Sequence, residues 1–283
     1  MAEIFLPNEN NAIIRLNVTL ALAKPLQPND FAEIDKHYKD FKDDFPRRER
    51  ENELATLTLS ATGIEQTPKN PSQDGFTGMR YELFNREGSV ARGVRVSGNL
   101  LQISIGDYSC WENEADYVGK IVRKFLSYLV NENHLNSVQV HIIDEFVFDP
   151  YDSFVPSKFL NPKSVTLPSY VFENTLNWHV HTGAFVDPGN QDYRQLDKVN
   201  VDVIDDDSDP VSRKRKLRLT FVHLALYDLP SEKFEQPSVS QMLKDEAIFA
   251  AVFDNLHAKN VTMLKDIIGE DLKARLKGLN DGD

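Results

Sequence analysis

Two histidines in the stretch His179-Val180-His181 are the residues best spaced for metal chemistry. Alternate side chains of a β-strand point to the same face, so both imidazoles could reach one ion. A zinc site needs three or four ligands, and no third ligand is evident beside this pair, since Asp187 would need a turn after Gly183. We therefore weigh a histidine metal site against two ordinary strand-surface histidines, and we favour the ordinary pair.

A short basic run follows an acidic one near residue 210. The acidic run, residues 205–209, is rich in oxygen ligands but lacks the glycine and glutamate of a calcium-binding EF-hand loop. Between two predicted strands this pattern is typical of a solvated hairpin loop. The basic run is also a candidate contact for phosphate or an acidic partner, although the aspartates cancel much of its field. It consists of Arg213, Lys214, Arg215 and Lys216.

Other ionisable groups could act as acids or bases but are isolated in sequence. They are His141, which is followed by Asp144 and Glu145, and His223 on a later predicted strand. Ordinary hydrogen-bonded strand histidines are the simpler interpretation. Cys110 stands at a predicted helix start, where a thiol pKa can fall, but no histidine base lies close in sequence. We expect this cysteine to be buried against the core.

Composition and motifs exclude several classes of protein. The chain has no glycine-rich phosphate loop and no G-x-S-x-G, H-E-x-x-H or C-x-x-C motif, so we expect no cofactor and favour a non-enzymatic protein over an enzyme. A net charge of −12 argues against general nucleic-acid binding. One cysteine cannot form an intramolecular disulfide, and we see neither a signal peptide nor a membrane-length apolar run. We expect a cytoplasmic protein of 283 residues with a full core.

Three regions show the periodicity of helices. Apolar residues over 31–45 recur at spacings of three and four, after Pro28 and before Pro46. A second helix is predicted from Ser109, with Glu112 as its capping-box partner and a buried face that reaches residue 129. A third begins near Ser238, breaks around residues 259–262 and resumes to residue 278.

Strand patterns fill most of the remaining sequence. Residues 14–20 alternate so that even-numbered side chains face the core, and residues 79–84, 91–96 and 100–105 predict a meander. Further strands are predicted at 54–59, 138–148, 172–186, 199–204 and 217–227. Runs of strands between long helices indicate an α+β fold of antiparallel sheets packed on helices. The predicted order is β-α-β-β-β-β-α-β followed by β-β-β-α-α.

A proline-rich stretch, residues 149–168, suggests a boundary between two related halves, 1–150 and 151–283. Each half would contain an antiparallel sheet that grips a helix, or the two halves would form one continuous domain. No sequence repeat accompanies this interpretation.

Several stretches together resemble a sporadically distributed bacterial family of unknown function. The first helix ends in an aromatic-proline pattern, Phe41 to Pro46, and residues 100–105 run into Tyr108 and Trp111 at the central helix. Near the C-terminus a Leu-His pair at residues 256–257 precedes a short amphipathic helix. The chain departs from the family at its opening and after the central helix. The family's patchy occurrence implies a bacterial defence or toxin–antitoxin setting and supplies no catalytic residues.

These observations predict a non-enzymatic protein that engages another protein through an acidic surface or an exposed sheet edge. Two alternatives stay open. One is a metal-dependent hydrolase or nuclease centred on His179 and His181. The other is a small-molecule sensor whose phenylalanine-rich halves enclose an apolar cavity. The sequence does not indicate an oligomeric state.

Overall fold

The computed structural model describes residues 3–7, 11–52, 55–60, 63–68, 76–174, 176–186, 192–206, 213–227 and 236–276. This part of the chain contains one antiparallel sheet of ten strands and a separate two-stranded sheet. The strands are β1 (Glu3–Phe5), β2 (Ile13–Leu22), β3 (Arg47–Asn52), β4 (Ala55–Ser60), β5 (Gly63–Pro68), β6 (Phe76–Phe84), β7 (Val90–Ser97), β8 (Leu100–Ile105), β9 (Leu135–Asp149), β10 (Trp178–Val186), β11 (Arg194–Asp206) and β12 (Lys214–Leu226).

The large sheet has the order β10-β11-β12-β9-β2-β8-β7-β6-β3, and β1 pairs with β9. Strands β2 and β9 are the central pair. The strands predicted for both halves of the chain thus belong to one sheet, because β9 pairs with β12 on its other side. Strands from both sides of the predicted division at residue 150 therefore share one continuous sheet. The prediction had several antiparallel sheets, whereas the described residues form one large sheet and one small one.

Helices account for most of the remaining regular structure. They are α1 (Pro28–Lys36), α2 (Trp111–Leu126), α3 (Pro156–Phe159), α4 (Val239–Lys244), α5 (Glu246–Ile267) and α6 (Glu270–Lys273). None of the helices in the described ranges is long and apolar enough to cross a membrane.

Alternation of apolar and polar residues gives the large sheet one buried face. Leu16, Val18, Leu20 and Leu22 of β2 are buried, as the even-numbered pattern predicts, and the residues between them are more exposed. Strands β11 and β12 show the same alternation over most of their length. The opposite face of the sheet is therefore polar and only half-buried over its centre, and we call it the open face.

The buried side chains form two apolar clusters. The first unites side chains of β2, β7 and β8 with those of α2, α4 and the first half of α5. The second unites β10, β11 and β12 with α3, α6 and the end of α5. Strands β9 and β12 and helix α5 contribute to both clusters, so these three elements connect them.

The predicted helix boundaries need three corrections. The first helix ends at Lys36 and gives way to a 3₁₀ turn, in which Tyr38 is half-buried, whereas Phe41 and Phe45 after it are buried. The predicted break at 259–262 is wrong, since α5 is continuous there and the Thr262 hydroxyl donates to the Ala258 carbonyl, 2.9 Å away. The second helix begins at Trp111, and the Ser109 hydroxyl donates to Glu114 instead of capping it.

Local turn and capping signals are confirmed elsewhere. Ser238 and Gln241 form the predicted capping box at the start of α4. The meander β6-β7-β8 forms as predicted, with Gly88 and Gly98 at positive φ in its turns. Cys110, however, is exposed, contrary to the expectation of burial, because it is the N-cap residue and lies outside the packed face of α2.

Candidate functional site

Strand β10 forms one edge of the large sheet. Only β11 pairs with it among the described residues, so the outward-facing backbone groups of β10 have no strand beside them. Trp178 and Val180 are buried, but every residue from His181 to Phe185 is exposed. The strand is nine residues long and carries no aspartate, glutamate, lysine or arginine. Such an edge is available for pairing with another extended chain.

The predicted histidine pair lies on this strand, on the open face of the sheet. The rings of His179 and His181 are stacked with their centroids 6.4 Å apart. Nδ1 of His179 lies 2.5 Å from the carboxylate of Asp202, and Nδ1 of His181 contacts Asn200. Within the described ranges no group of three potential metal ligands forms, and residue 187 lies outside those ranges. The side chains of β11 therefore orient both imidazoles.

The opposite edge of the sheet has a different character. Strand β3 has charged side chains at five of its six positions. Arg48 and Arg50 both pair with Asp35, at 2.8 and 2.6 Å, and Arg80 pairs with Glu51 at 2.9 Å. Charged side chains on an edge strand oppose the addition of a further strand. Of the two edges, β10 is thus the one that accepts a partner more readily.

The basic run at the start of β12 is matched by acidic residues. Arg213 and Arg215 both contact Asp205, at 2.5 and 2.8 Å, and Lys216 lies 2.9 Å from Asp206. Lys214 lies 3.7 Å from Asp149. The predicted hairpin is present, since β11 and β12 pair on either side of residues 207–212, which lie outside the described ranges. Because the charges of these four side chains are compensated within the chain, they attract an acidic partner less strongly.

The other ionisable residues singled out in the sequence do not converge. His141 is on the open face, where its Nδ1 lies 3.4 Å from Asn17, and burial lowers its pKa. Glu145 accepts a hydrogen bond from Arg218 on the same face, at 2.7 Å. Asp144 and His223 are on the buried face instead. Alternation along the strand therefore separates neighbours that the sequence places together.

A buried imidazole–carboxylate pair lies on the helix side of the sheet. Nδ1 of His223 is 2.8 Å from Asp197, and the same carboxylate accepts from Gln195 at 2.8 Å. His223 is fully buried. Such a pair can hold a proton, but the described residues place no nucleophilic side chain in hydrogen-bond contact with His223. We assign it a structural role.

The histidine of α5, His257, is kept uncharged by its surroundings. Its ring stacks on Trp111 with centroids 3.7 Å apart, and the indole N–H of Trp111 donates to Asp254. Burial lowers the pKa of His257 to about 4, so the imidazole is uncharged at neutral pH. This ring forms part of the wall of a cavity between the two apolar clusters.

Comparisons with known proteins give no match: no family model, no curated protein and no solved structure is similar to this chain. The site therefore has to be interpreted from its own geometry.

Sequence patterns located β10 but missed the residues that make it a free edge. Thr182, Ala184 and Phe185 are exposed, and Phe185 keeps 57% of its surface accessible, with Arg194 stacked over its ring. The available signal was a strand without charged side chains and with a central glycine, Gly183. That signal does not distinguish an edge strand from an interior one, because both can lack charge.

Proposed function

We propose that this protein binds another protein by accepting an extended segment of that partner as an additional strand at β10. The supporting observation is the edge itself, which is nine residues long, carries no aspartate, glutamate, lysine or arginine, and is exposed from His181 to Phe185. Strand addition supplies affinity through main-chain hydrogen bonds and specificity through alternate side chains. No catalytic chemistry is needed for this activity.

The order of strands in the two halves supports this position for the partner. We infer that the halves share one plan, since β2-β8-β7-β6 on one side of the sheet parallels β9-β12-β11-β10 on the other. In the first half, β3 covers β6. The equivalent place beside β10 holds no strand in the described part of the second half. A partner strand there would complete the second half as β3 completes the first.

The exposed side chains of β10 define the chemistry of the segment. Thr182 and Ala184 are on the helix-side face, and His181 and Phe185 are on the open face. Beyond His181, the outer half of the strand therefore offers only small or apolar side chains on the two faces. We propose a segment with apolar residues at alternate positions, carried by a protein whose net charge is basic, because this chain has a net charge of −12.

Ala184→Lys tests the proposal directly. A lysine at this exposed edge position should block strand addition without disturbing the core. Tagged protein incubated with lysate of its native cell should retain a partner at low salt, and the variant should lose it. With the purified partner, hydrogen exchange of residues 178–186 should slow by roughly tenfold or more in the wild type only.

The matched control is Ala247→Lys, which adds the same charge at an exposed position of α5. It should keep the partner. Equal retention by Ala184→Lys, or no co-purifying macromolecule at low or high salt, would refute strand addition at β10. Self-association of the pure protein that Ala184→Lys abolishes would also contradict the proposal, because the occupant would then be a second copy.

The setting of this interaction is proposed from the sequence alone. The resemblance to a sporadically distributed bacterial family favours a cytoplasmic partner in a defence or toxin–antitoxin system. Nothing in the geometry of β10 depends on that setting.

A further inference from the structure

A cavity of about 430 Å³ lies where the two apolar clusters meet. Its walls come from residues 11–13, from the start of α2, from β9 and from the second half of α5. This volume falls in the usual range for small-molecule sites. The cavity is on the helix side of the sheet, so it is separate from the edge of β10.

Two buried acceptors in this cavity lack hydrogen-bond partners among the described residues. They are Oδ2 of Asp144 on β9 and Oδ1 of Asn260 on α5. Their side chains are only 2% and 3% exposed. An unsatisfied buried polar atom costs roughly 1–3 kcal/mol, so two at one site call for a ligand or solvent that donates hydrogen bonds.

The ionisable groups around the cavity favour a positive ligand, which would stabilise the ionised form of Asp144 although burial raises the pKa of this carboxyl to about 7. Asp144 and Glu112 are lining carboxylic residues, and no lysine or arginine is among the lining residues that the structure describes. His257 adds no positive charge, because its pKa is lowered to about 4 by burial. No group of three potential metal ligands occurs within the described ranges, which favours an organic cation over a metal ion.

The remaining walls suit an apolar body. Ile13, Val261 and Leu264 line the cavity together with the rings of Tyr108 and Trp111. A ligand that enters would place its apolar part against these side chains and its polar end against β9 and α5. Mostly apolar walls with a few convergent polar groups are typical of small-molecule sites.

We propose that this cavity binds a small organic cation of the amidinium or guanidinium class, whose N–H groups donate to Asp144 and Asn260. A planar group with several N–H donors offers a hydrogen bond to each acceptor, and an ionised carboxylate binds it with charge-assisted hydrogen bonds. The inference is independent of the proposed strand addition, since it uses no residue of β10.

Benzamidine and benzamide are matched probes for this site, because they have the same shape and only benzamidine is a cation. The chain has two tryptophans, Trp111 and Trp178. A Trp178→Phe variant therefore leaves the cavity-lining Trp111 as the only indole reporter. We expect millimolar benzamidine to change the Trp111 fluorescence and raise the melting temperature of the wild type, whereas benzamide should do neither.

Substitutions identify the residues that bind the cation. Asp144→Asn should weaken benzamidine binding by roughly tenfold or more, and Asn260→Ala should weaken it less, because a charged hydrogen bond is worth more than a neutral one. Asp43→Asn removes the same charge from an exposed position and should leave binding unchanged.

Three outcomes would overturn the inference. The first is that benzamide binds as tightly as benzamidine, which would leave only the apolar walls as the cause of binding. The second is that the Asp144→Asn variant binds benzamidine as tightly as the wild type does. The third is that neither benzamidine nor the alkylguanidinium agmatine binds at millimolar concentration, which would mean that the cavity holds only solvent.

Discussion

Buried polar side chains lie between the two apolar clusters on four elements of the fold. On β9, Asp144 separates Ile142 of the first cluster from Phe146 of the second. On α5, Asn260 lies between Leu256 and Leu264, which belong to different clusters. Strands β11 and β12 contribute three of their buried polar residues at the corresponding place between the clusters. These residues are Gln195, Asp197 and His223.

The carboxyl of Asp144 makes stability depend on pH. Burial raises its pKa to about 7, and in the unfolded chain it titrates near its ordinary pKa of about 4. Between these values the folded protein holds a proton that the unfolded chain has lost. The free energy of unfolding therefore falls as pH rises through this window and stays constant, for this group, above it. Other ionisable side chains face Asp144 across the same cavity, among them those of Tyr108, Glu112 and His257.

Asp144→Asn removes this titration. We expect the variant to become more stable relative to the wild type as pH rises from about 5 to about 8, by up to a few kcal/mol. Urea unfolding at the two pH values measures the difference. Asp43→Asn, at an exposed position, should show no such trend, and a difference for Asp144→Asn that does not vary with pH would contradict the argument.

At the scale of elements, two glycines differ in whether the backbone conformation requires a glycine. Gly88 adopts φ +83° in the turn between β6 and β7. Gly119 is in the interior of α2, and an added Cβ would meet nothing within 4 Å at either position. Space is therefore equal at the two sites, and only the backbone conformation differs.

Alanine substitutions should consequently have opposite effects. Gly88→Ala should lower the free energy of unfolding by about 1–2 kcal/mol, because an L-residue is strained at positive φ. Gly119→Ala should raise it by about 0.4–1 kcal/mol through helix propensity and a less flexible unfolded chain. Equilibrium urea unfolding measures both, and a stabilised Gly88→Ala variant would show that the turn has a different backbone conformation.

At the scale of the whole molecule, the large sheet connects the two apolar clusters. Strand β9 pairs with β2 on one side and β12 on the other, and it contributes side chains to both clusters. Loss of either cluster would therefore expose part of β9 and α5. This shared framework favours one cooperative unfolding transition.

The two tryptophans report separately on the clusters. Trp111 packs against the first cluster and Trp178 is in the second. We expect the single-tryptophan variants Trp178→Phe and Trp111→Phe to show no separate steps in urea, with fluorescence midpoints that coincide with their own circular-dichroism midpoints. A fluorescence transition that precedes the loss of secondary structure would support independently folding halves, 1–150 and 151–283.

Much of the secondary structure could be predicted, because it depends on local patterns. The alternation in β2 predicted its buried face, and the turn residues around Gly88 and Gly98 predicted the meander. Strands β1, β3 and β5 were missed. Strand β3 has almost no apolar residues, so no periodicity marks it. Strand β1 is only three residues long.

The sequence by itself determined which side chains of a strand share a face and where the main hairpins turn, because these follow from backbone geometry over a few residues. Tertiary structure alone decided the order of strands, the position of β10 at the edge of the described sheet and the cavity that contains Asp144 and Asn260. Alternation specifies a buried face but not the neighbouring strand, since any strand with a compatible pattern can pair. The candidate sites depend on that choice of neighbour.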